Sequence, residues 1–396
     1  MVSPGEKGCS MGLKQMKTGV LKGASYGVAL LLGGCGVMGS GPKMLRDRRP
    51  EYNAAVVSSE ERQLLENLVR LRYCDNITSL DIASLSHSGL FSMDGKGELD
   101  SGFLSDLSHI DKKIKATLGG SMNGASSMNL TPPSGGDYIK KYLTPIQFSA
   151  VSALIQGGWS VDRVFNLCVE RVNDLYNATE ADGPTPEKAP IYKSFQAFTR
   201  ILNEADDNRL LEFGSKPDYN FSGMYLYLNE PKLEERIRRA SVETKSYYSG
   251  LKARIRELKQ LAGLSEKASL FKLNDDFVAD KGASSLVIQC RTLLGIMFYL
   301  SQNVDVPQEH KDRGLVGVTQ DAAGEEFDWS DVCKYFSVQC SQYRPKHAYV
   351  SCRYRGHWFY IADDDRDSKM TFMLVMQLRK LQASNYKSNT PLLLLN

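Results

Sequence analysis

The sequence predicts an α+β fold, with a mostly helical N-terminal part and a C-terminal β-hairpin or small antiparallel sheet before a closing helix. Three observations predict it. Apolar residues recur at helical spacing through much of residues 58–262. Residues 348–361 alternate like two strands around the turn sequence Tyr354-Arg-Gly-His357. Beyond them, apolar residues from Thr371 to Leu381 return to helical spacing.

Residues 1–34 have the pattern of a secretory signal peptide. Basic residues precede a short apolar run that ends at Leu32, and Gly33-Gly34 separate that leucine from Cys35. This order resembles the bacterial lipobox, which implies acylation of Cys35 and cleavage before it. The apolar run is too short to cross about 30 Å of hydrocarbon as a helix. The sequence therefore predicts a lipoprotein that is held on a membrane by lipid on Cys35.

Gly36 follows the cysteine where an Asp would retain such a protein in the inner membrane. Glycine at position 36 predicts that the protein is anchored in the outer membrane and faces the periplasm. Met1, Met11 and Met16 are alternative starts of the leader.

Composition limits the classes of function that are open to the chain. It has 396 residues, 42% of them hydrophobic and 24% charged, which suits a globular protein with a core. The net charge of +3 lies in the leader, which has four lysines and one glutamate, so the mature chain is near neutral and nucleic acid is not an expected partner. No zinc motif and no nucleotide-binding glycine loop occur, and no cofactor is predicted.

Six cysteines follow Cys35 in a compartment that permits disulfides. Cys168 and Cys290 lie in apolar patterns and are predicted to be buried thiols. Cys333, Cys340 and Cys352 are clustered, and one bridge among them is an open alternative.

Residues 35–57 are predicted to be a tether, and folding is predicted to begin at Ser58, where Ser58-x-x-Glu61 has the form of a capping box. The region 58–262 is predicted to be mainly helical. Its expected elements are, in order, a helix from Ser58, a strand or hairpin over 77–93, a short helix near 104–118, a helix from Pro145 capped by Thr144 and ended by Gly157-Gly158, a helix from Ser160 to Leu175, a helix over 191–213, a strand over 225–228 and a long helix over 231–262.

The region 263–385 is predicted to be α+β, and residues 386–396 a tail. Ser284 to Val304 is strongly apolar and predicts a central helix. Residues 331–340 alternate like a strand and precede the hairpin. The apolar run 391–395 is predicted to be a docked terminal strand.

The densest group of reactive side chains lies between Arg353 and Lys369. The hairpin residues Arg353, Arg355, His357, Trp358 and Tyr360 are candidates for contact with an anionic or glycan ligand or with a partner protein. The remaining histidines are scattered singly, which is typical of surface or core positions.

The acidic run has two functional interpretations and a structural one. Asp363, Asp365 and Asp367 resemble the opening of a calcium loop, although Ser368 and Leu374 stand where that loop needs Gly and Glu. Alternatively, one of these aspartates assists His357 as general base, with Ser351 or Ser368 as nucleophile. In the structural interpretation, the carboxylates begin the last helix and pair with the arginines.

Several segments together carry a resemblance to a known family. They are Glu66–Tyr73, Leu143–Ile146, Gly157–Val164, Arg291–Gly295, Tyr299–Gln302 and Arg353–Tyr360, of which the run Tyr-Arg-Gly-His-Trp-Phe-Tyr is the most specific. In these segments the chain resembles a family of uncharacterised proteobacterial envelope lipoproteins, over roughly Ser58 to Gln382. The resemblance implies an exported lipoprotein and no particular activity. Cys74 stands where the family has Gly, and Ala362 where it has Asp.

The sequence thus predicts an envelope lipoprotein that binds or scaffolds an envelope protein partner and performs no catalysis. The alternative is an envelope hydrolase or transferase that uses His357 with an aspartate from 363–367.

Overall fold

The computed structural model describes residues 42–78, 81–93, 120–131, 135–215, 223–274 and 282–387. The chain divides into two units, Met1–Glu61 and Arg62–Asn396, and the packing described below lies within the second. None of the described helices is both long and apolar enough to cross a membrane. The leader, Cys35, the expected helix near 104–118 and the run 391–395 lie outside the described residues.

Ten α-helices are labelled here in chain order. They are α1 Pro42–Arg72, α2 Gly135–Tyr138, α3 Phe148–Gln156, α4 Val161–Cys168, α5 Lys193–Asp207, α6 Glu230–Arg239, α7 Val242–Leu261, α8 Leu293–Ser301, α9 Gln308–Asp312 and α10 Arg366–Lys387. A π-helical turn, Ile139–Leu143, continues α2, and a 3-10 turn spans Thr179–Asp182.

Eleven strands form three sheets in the described part of the chain. They are β1 Asp81–Met93, β2 Gly120–Thr131, β3 Val169–Val172, β4 Leu175–Tyr176, β5 Leu211–Ser215, β6 Met224–Leu228, β7 Leu270–Asn274, β8 Ser285–Cys290, β9 Gln339–Ser341, β10 Ala348–Tyr354 and β11 His357–Ala362. The sheet orders are β1-β2, β10-β11-β9 and β4-β3-β8-β7-β6-β5. The prediction of an α+β fold with a small C-terminal antiparallel sheet and a closing helix is confirmed.

The N-terminal boundary differs from the prediction. Helix α1 begins at Pro42, so residues 42–57 of the predicted tether are helical and Ser58 is an interior helical residue rather than a cap. Most residues of this stretch are compatible with helix, and Pro50 lies inside the helix without ending it. The strand predicted over 77–93 is confirmed by β1, which pairs antiparallel with β2.

The six-stranded sheet was not predicted. Strand β8 lies inside the apolar run 284–304 that predicted one helix, and β3 lies inside the helix predicted from Ser160 to Leu175. Five of the six residues of β8 are buried, so both faces of the strand are covered and the polar–apolar alternation of a half-exposed strand is lost. Strands β7 and β8 pair in parallel, and the other neighbours in this sheet are antiparallel.

Three other helix boundaries are corrected. Pro145 forms a bridge with Thr292 instead of beginning a helix, and α3 starts three residues later. Helix α5 ends at Asp207, a turn follows over residues 208–209, and strand β5 begins at Leu211, inside the helix predicted to 213. The long helix predicted over 231–262 is divided at Ala240, which has an extended backbone, into α6 and α7. The cap at Ser160 and the strand at Tyr225–Leu228 are confirmed.

The six cysteines after Cys35 all lie in described segments, and all six are free thiols. Cys168 and Cys290 are buried, as predicted. The bridge considered among Cys333, Cys340 and Cys352 does not form. Burial raises the pKa of Cys333 and of Cys352 to about 12, so both stay protonated at neutral pH.

Candidate functional site

The C-terminal end of α1 fixes two side chains, Tyr73 and Asp75, against the hairpin formed by β10 and β11. The Asp75 amide donates to Arg70 O (2.9 Å) and the Cys74 amide to Leu71 O (3.0 Å), which is the bond pattern of a Schellman cap. Cys74 occupies the left-handed position of this cap, with φ 56°. Tyr73 and Asp75 on either side of it therefore project from a fixed backbone.

The hairpin turn meets this helix end through Asp75. Arg355 and Gly356 both have positive φ, 44° and 90°, as a two-residue type I′ turn requires. The carboxylate of Asp75 accepts hydrogen bonds from the Tyr354 hydroxyl and from Arg355 Nη2 (2.8 Å), and these bonds lower the pKa of Asp75. The guanidinium of Arg355 also lies over the ring of Tyr73, at 5.3 Å. Arg355 thus serves to hold the hairpin against α1.

The remaining hairpin residues predicted as a contact surface do not converge on one site. Arg353 is exposed on β10, and Tyr360 is half-buried on β11. The Trp358 ring is covered by the guanidinium of Arg344 at 5.5 Å. Of the five predicted contact residues, only His357 lines a cleft that is described below.

The three aspartates that were candidates for a calcium loop each bond a different partner. Asp363 pairs with Lys369 Nζ at 2.6 Å, and Asp367 pairs with the buried Arg163. Asp365 Oδ1 accepts from the Ser368 amide at 3.0 Å, which caps the start of α10. Each carboxylate therefore serves a different partner, and among the described residues the three do not form a shared ligand set.

The general-base hypothesis paired His357 with one of these aspartates, and it stays a prediction. Ser368 Oγ accepts from the Ser337 amide at 2.8 Å inside the protein, which holds it away from a role as nucleophile. The carboxylate nearest to His357 belongs to Glu309 on α9, whose Oε1 lies 3.6 Å from His357 Nε2. Sequence reasoning named His357 as a candidate but did not name Glu309.

Glu309 and His357 form a cluster with His310. Glu309 Oε1 is also 3.6 Å from His310 Nε2, and the ligand atoms of all three residues lie within 4.8 Å of one another. The imidazole rings are perpendicular, with centroids 5.1 Å apart. The cluster is half open, since the Glu309 side chain is 64% exposed, that of His357 18% and that of His310 4%.

The environment of His310 keeps it neutral and fixes its orientation. Burial lowers the pKa of His310, and the neighbouring His357 lowers it further. Its Nδ1 lies 2.7 Å from the hydroxyl of Tyr73, inside the protein. His357 is less satisfied, because its Nδ1 is buried and has no hydrogen-bond partner among the described residues.

A cleft of about 670 Å³ lies beside this cluster. Residues 302–307, 326–329 and 340–342 line it, together with Arg72, Lys311 and His357. Both cations are engaged: Arg72 Nη1 donates to Thr185 Oγ1 (2.8 Å) and Gly317 O (2.9 Å), and Lys311 Nζ pairs with Glu326 (2.5 Å). The volume lies in the range of small-molecule sites.

A second group of buried charges, around Arg291, is structural. Arg291 is fully buried and pairs with Asp182 at 2.5 Å. It also donates to carbonyls of Asn166, Val169 and Asn177, and lies 4.1 Å from the centroid of the Tyr299 ring. Each of the three guanidinium nitrogens donates a hydrogen bond in these contacts. Arg291 thereby links the six-stranded sheet to α8, and none of these nitrogens is left for a ligand.

Sequence reasoning missed Glu309, His310 and the cleft. His310 was treated as one of several scattered histidines, and no spacing rule links it to His357 because α9 and β11 are distant in the chain. The adjacent Glu-His pair was the available signal, and it is too common to have been specific. No protein-family model matches the chain, and the comparisons with curated proteins and with solved structures found no match.

Proposed function

We propose that this chain is a lipid-anchored envelope lipoprotein that binds a small neutral or cationic polar ligand in the cleft, without catalysing its conversion. The observation that carries the binding role is the cleft itself, with its volume of about 670 Å³ and its carboxylate-containing walls. The lipid anchor rests on the sequence Leu32-Gly33-Gly34-Cys35. An envelope protein partner and an outer-membrane location facing the periplasm belong to the same proposal.

The charge of the cleft supports a neutral or cationic ligand. Three carboxylates, Asp305, Glu326 and Asp328, stand against two cations that are already engaged. Among the described residues, neither Asp305 nor Asp328 forms an ion pair. Asp328 Oδ1 accepts from the Ser330 amide (2.8 Å), and Asp305 accepts from the backbone at Cys340. A cation or a sugar hydroxyl can take the remaining acceptor positions of these carboxylates, whereas an anion would be repelled.

The aromatic side of the cleft suits a molecule with an apolar face. Phe327 and Trp329 pack edge to face, with ring centroids 5.2 Å apart, and both line the cleft. Flat apolar faces beside hydrogen-bonding groups are typical of small-ligand sites.

The reactive groups near the cleft favour binding over catalysis. Burial raises the pKa of the Cys340 thiol to about 11, so this thiol in the cleft wall is protonated at neutral pH. In the described part of the chain, no hydroxyl is hydrogen-bonded to His357. A nucleophile activated by an adjacent base is therefore missing there.

Three probes of one ring size test the ligand class: glucosamine, glucose and glucuronate, which differ in charge. We expect saturable binding of glucosamine or glucose and none of glucuronate, measured by ligand-observed NMR on the purified chain. Asp305→Asn and Asp328→Asn should weaken binding at least fivefold. Glu212→Gln, at an exposed site on β5 outside the cleft, is the matched control.

Preferential binding of glucuronate would overturn the charge argument. Failure of all three sugars to bind at 10 mM would overturn the small-ligand proposal itself.

A further inference from the structure

Glu309, His310 and His357 bring one carboxylate oxygen and two imidazole nitrogens together. We propose that these three side chains bind a divalent transition-metal ion of the zinc class. The inference does not rest on the cleft ligand, because none of the distances that carry it involves another cleft residue.

The distances match the requirements of such an ion. Zinc–nitrogen and zinc–oxygen bonds are about 2.0–2.2 Å, so neighbouring donors around a tetrahedral ion lie about 3.4 Å apart. Glu309 Oε1 is 3.6 Å from each imidazole Nε2. The ligand atoms of all three residues lie within 4.8 Å of one another, so side-chain rotation has to bring them closer around a bound ion. A pair of histidines with one carboxylate is a ligand set that zinc uses in proteins.

The contact between His310 Nδ1 and the Tyr73 hydroxyl is compatible with the tautomer that a metal requires. A metal takes the unprotonated Nε2, which places the proton on Nδ1. That nitrogen faces the Tyr73 hydroxyl at 2.7 Å, and the hydroxyl oxygen can accept its proton. Histidine ligands in proteins commonly donate their other ring N–H to such an acceptor.

The described residues offer the His357 imidazole few bonding partners, and a metal ion would add one. Its Nε2 has only the 3.6 Å contact with Glu309 Oε1, while its buried Nδ1 has no partner among the described residues and keeps none when Nε2 binds the ion. An ion between the two would replace this weak contact with two short bonds. An imidazole with so few hydrogen bonds is unusual for a purely structural histidine.

The surrounding charges permit a cation. The charged groups that face His310 are Glu309, Arg313 and Arg355. Arg355 is neutralised by Asp75, and Glu309 compensates for Arg313. The exposed carboxylate leaves the cluster open to solvent, so a fourth coordination position is available to water, as in zinc sites with three protein ligands.

Zinc chloride is titrated into the tag-free full chain in competition with a chromophoric chelator. We expect one tight site per chain, with affinity reduced at least tenfold in Glu309→Gln and in His357→Ala. Glu309 is exposed, so its substitution leaves folding intact. The matched controls are Glu325→Gln and His347→Ala, both at exposed positions away from the cluster. Magnesium at 1 mM should not compete.

Equal zinc affinity in the wild type, Glu309→Gln and His357→Ala would overturn the proposal. So would a site that is lost in Cys74→Ser, because the exposed thiol of Cys74 would then be the ligand. Absence of any tight site in the wild type would also overturn it, whether or not the cleft binds a sugar.

Discussion

Two groups of charged side chains flank the same hairpin and differ in how far the protein satisfies them. The acidic run Asp363–Asp367 has a partner for each carboxylate that sequence reasoning had singled out: Lys369, Ser368 and Arg163. The cluster of Glu309, His310 and His357 has one short hydrogen bond, between His310 and Tyr73. A high density of reactive residues in the sequence therefore does not by itself indicate a binding site. Side chains that lack hydrogen-bond or ion-pair partners in the folded protein are the better indicator of one.

This difference has a consequence for substitutions. A buried charge that loses its partner costs several kcal/mol, while an exposed group with few bonds costs little. Changes in the acidic network should therefore reduce stability and leave metal binding intact. Substitutions in the cluster of Glu309, His310 and His357 should weaken metal binding and reduce stability less.

The largest effect is expected at Arg163, the buried partner of the acidic run. Its Nη1 donates to Thr371 Oγ1 (2.7 Å) and to Asp367 O (2.9 Å), and its guanidinium lies 4.4 Å from the ring centroid of Tyr335. Arg163→Ala should lower the free energy of unfolding by about 3 kcal/mol, measured by urea denaturation. Glu309→Gln is the contrasting variant, with a change within about 0.5 kcal/mol. An equal loss of unfolding free energy in Arg163→Ala and Glu309→Gln would contradict the proposed difference between the two groups of side chains.

A smaller loss is expected at Asp162, which extends the same network. Asp162 accepts from Lys334 Nζ (2.6 Å) and from the Tyr335 hydroxyl. Burial alone would raise the pKa of Asp162, but these bonds outweigh it and lower the pKa. Asp162→Asn should cost about 2 kcal/mol at pH 7.

The cost of Asp162→Asn should also depend on pH. Because the pKa is lower in the folded state, the carboxylate stabilises the fold above its unfolded pKa, and this stabilisation is lost as pH falls through the folded value. The difference between wild type and variant should thus shrink below about pH 3.8. A difference that stays constant from pH 7 to pH 3 would contradict the assignment.

The cap at Asp365 should contribute less. Asp365→Ala removes the acceptor of the Ser368 amide and should destabilise the protein by about 1 kcal/mol. Asp364→Ala, at the exposed neighbouring position, is the control and should change stability by less than about 0.5 kcal/mol. Thermal unfolding of the three proteins side by side measures both. Zinc affinity should be the same in all three.

Cys74 provides the one change that should stabilise the protein. A non-glycine residue at φ 56° is strained, and glycine is the residue that this cap position favours. Cys74→Gly should raise the free energy of unfolding by about 0.5 kcal/mol, whereas Cys74→Ala should bring no gain. A gain in both variants would show that the thiol, and not the backbone, is the cause.

No effect is expected from calcium. Since Asp363, Asp365 and Asp367 each have a partner already, 5 mM calcium should leave the melting temperature unchanged, while zinc should raise it through the native-state site. A rise with calcium that is abolished by Asp363→Asn would restore the calcium-loop interpretation.

The elements that sequence reasoning located correctly have strong local signals. The hairpin of β10 and β11 alternates on both sides of an Arg-Gly turn, and Ser160 caps α4 through a bond from the Arg163 amide. The closing helix begins where the acidic run predicted it. Such signals lie within a few residues of one another, so they can be read without the rest of the fold.

The central sheet lacks a local signal of this kind. Strand β8 is apolar on both faces and runs into the apolar helix α8 after only two residues, so the period of the pattern does not separate them. Strand β3 likewise follows α4 directly. Their pairing, and the meeting of His310 with His357, are set by long-range packing that one sequence does not encode in any short pattern.

The most direct test of the central claim is X-ray absorption at the zinc edge on the zinc-loaded chain. We expect the zinc ion to be surrounded by a shell of nitrogen and oxygen at about 2.0–2.1 Å, with the outer-shell scattering of two imidazoles. A sulfur shell at about 2.3 Å, or a spectrum without imidazole scattering, would contradict the assignment of Glu309, His310 and His357 as the metal site.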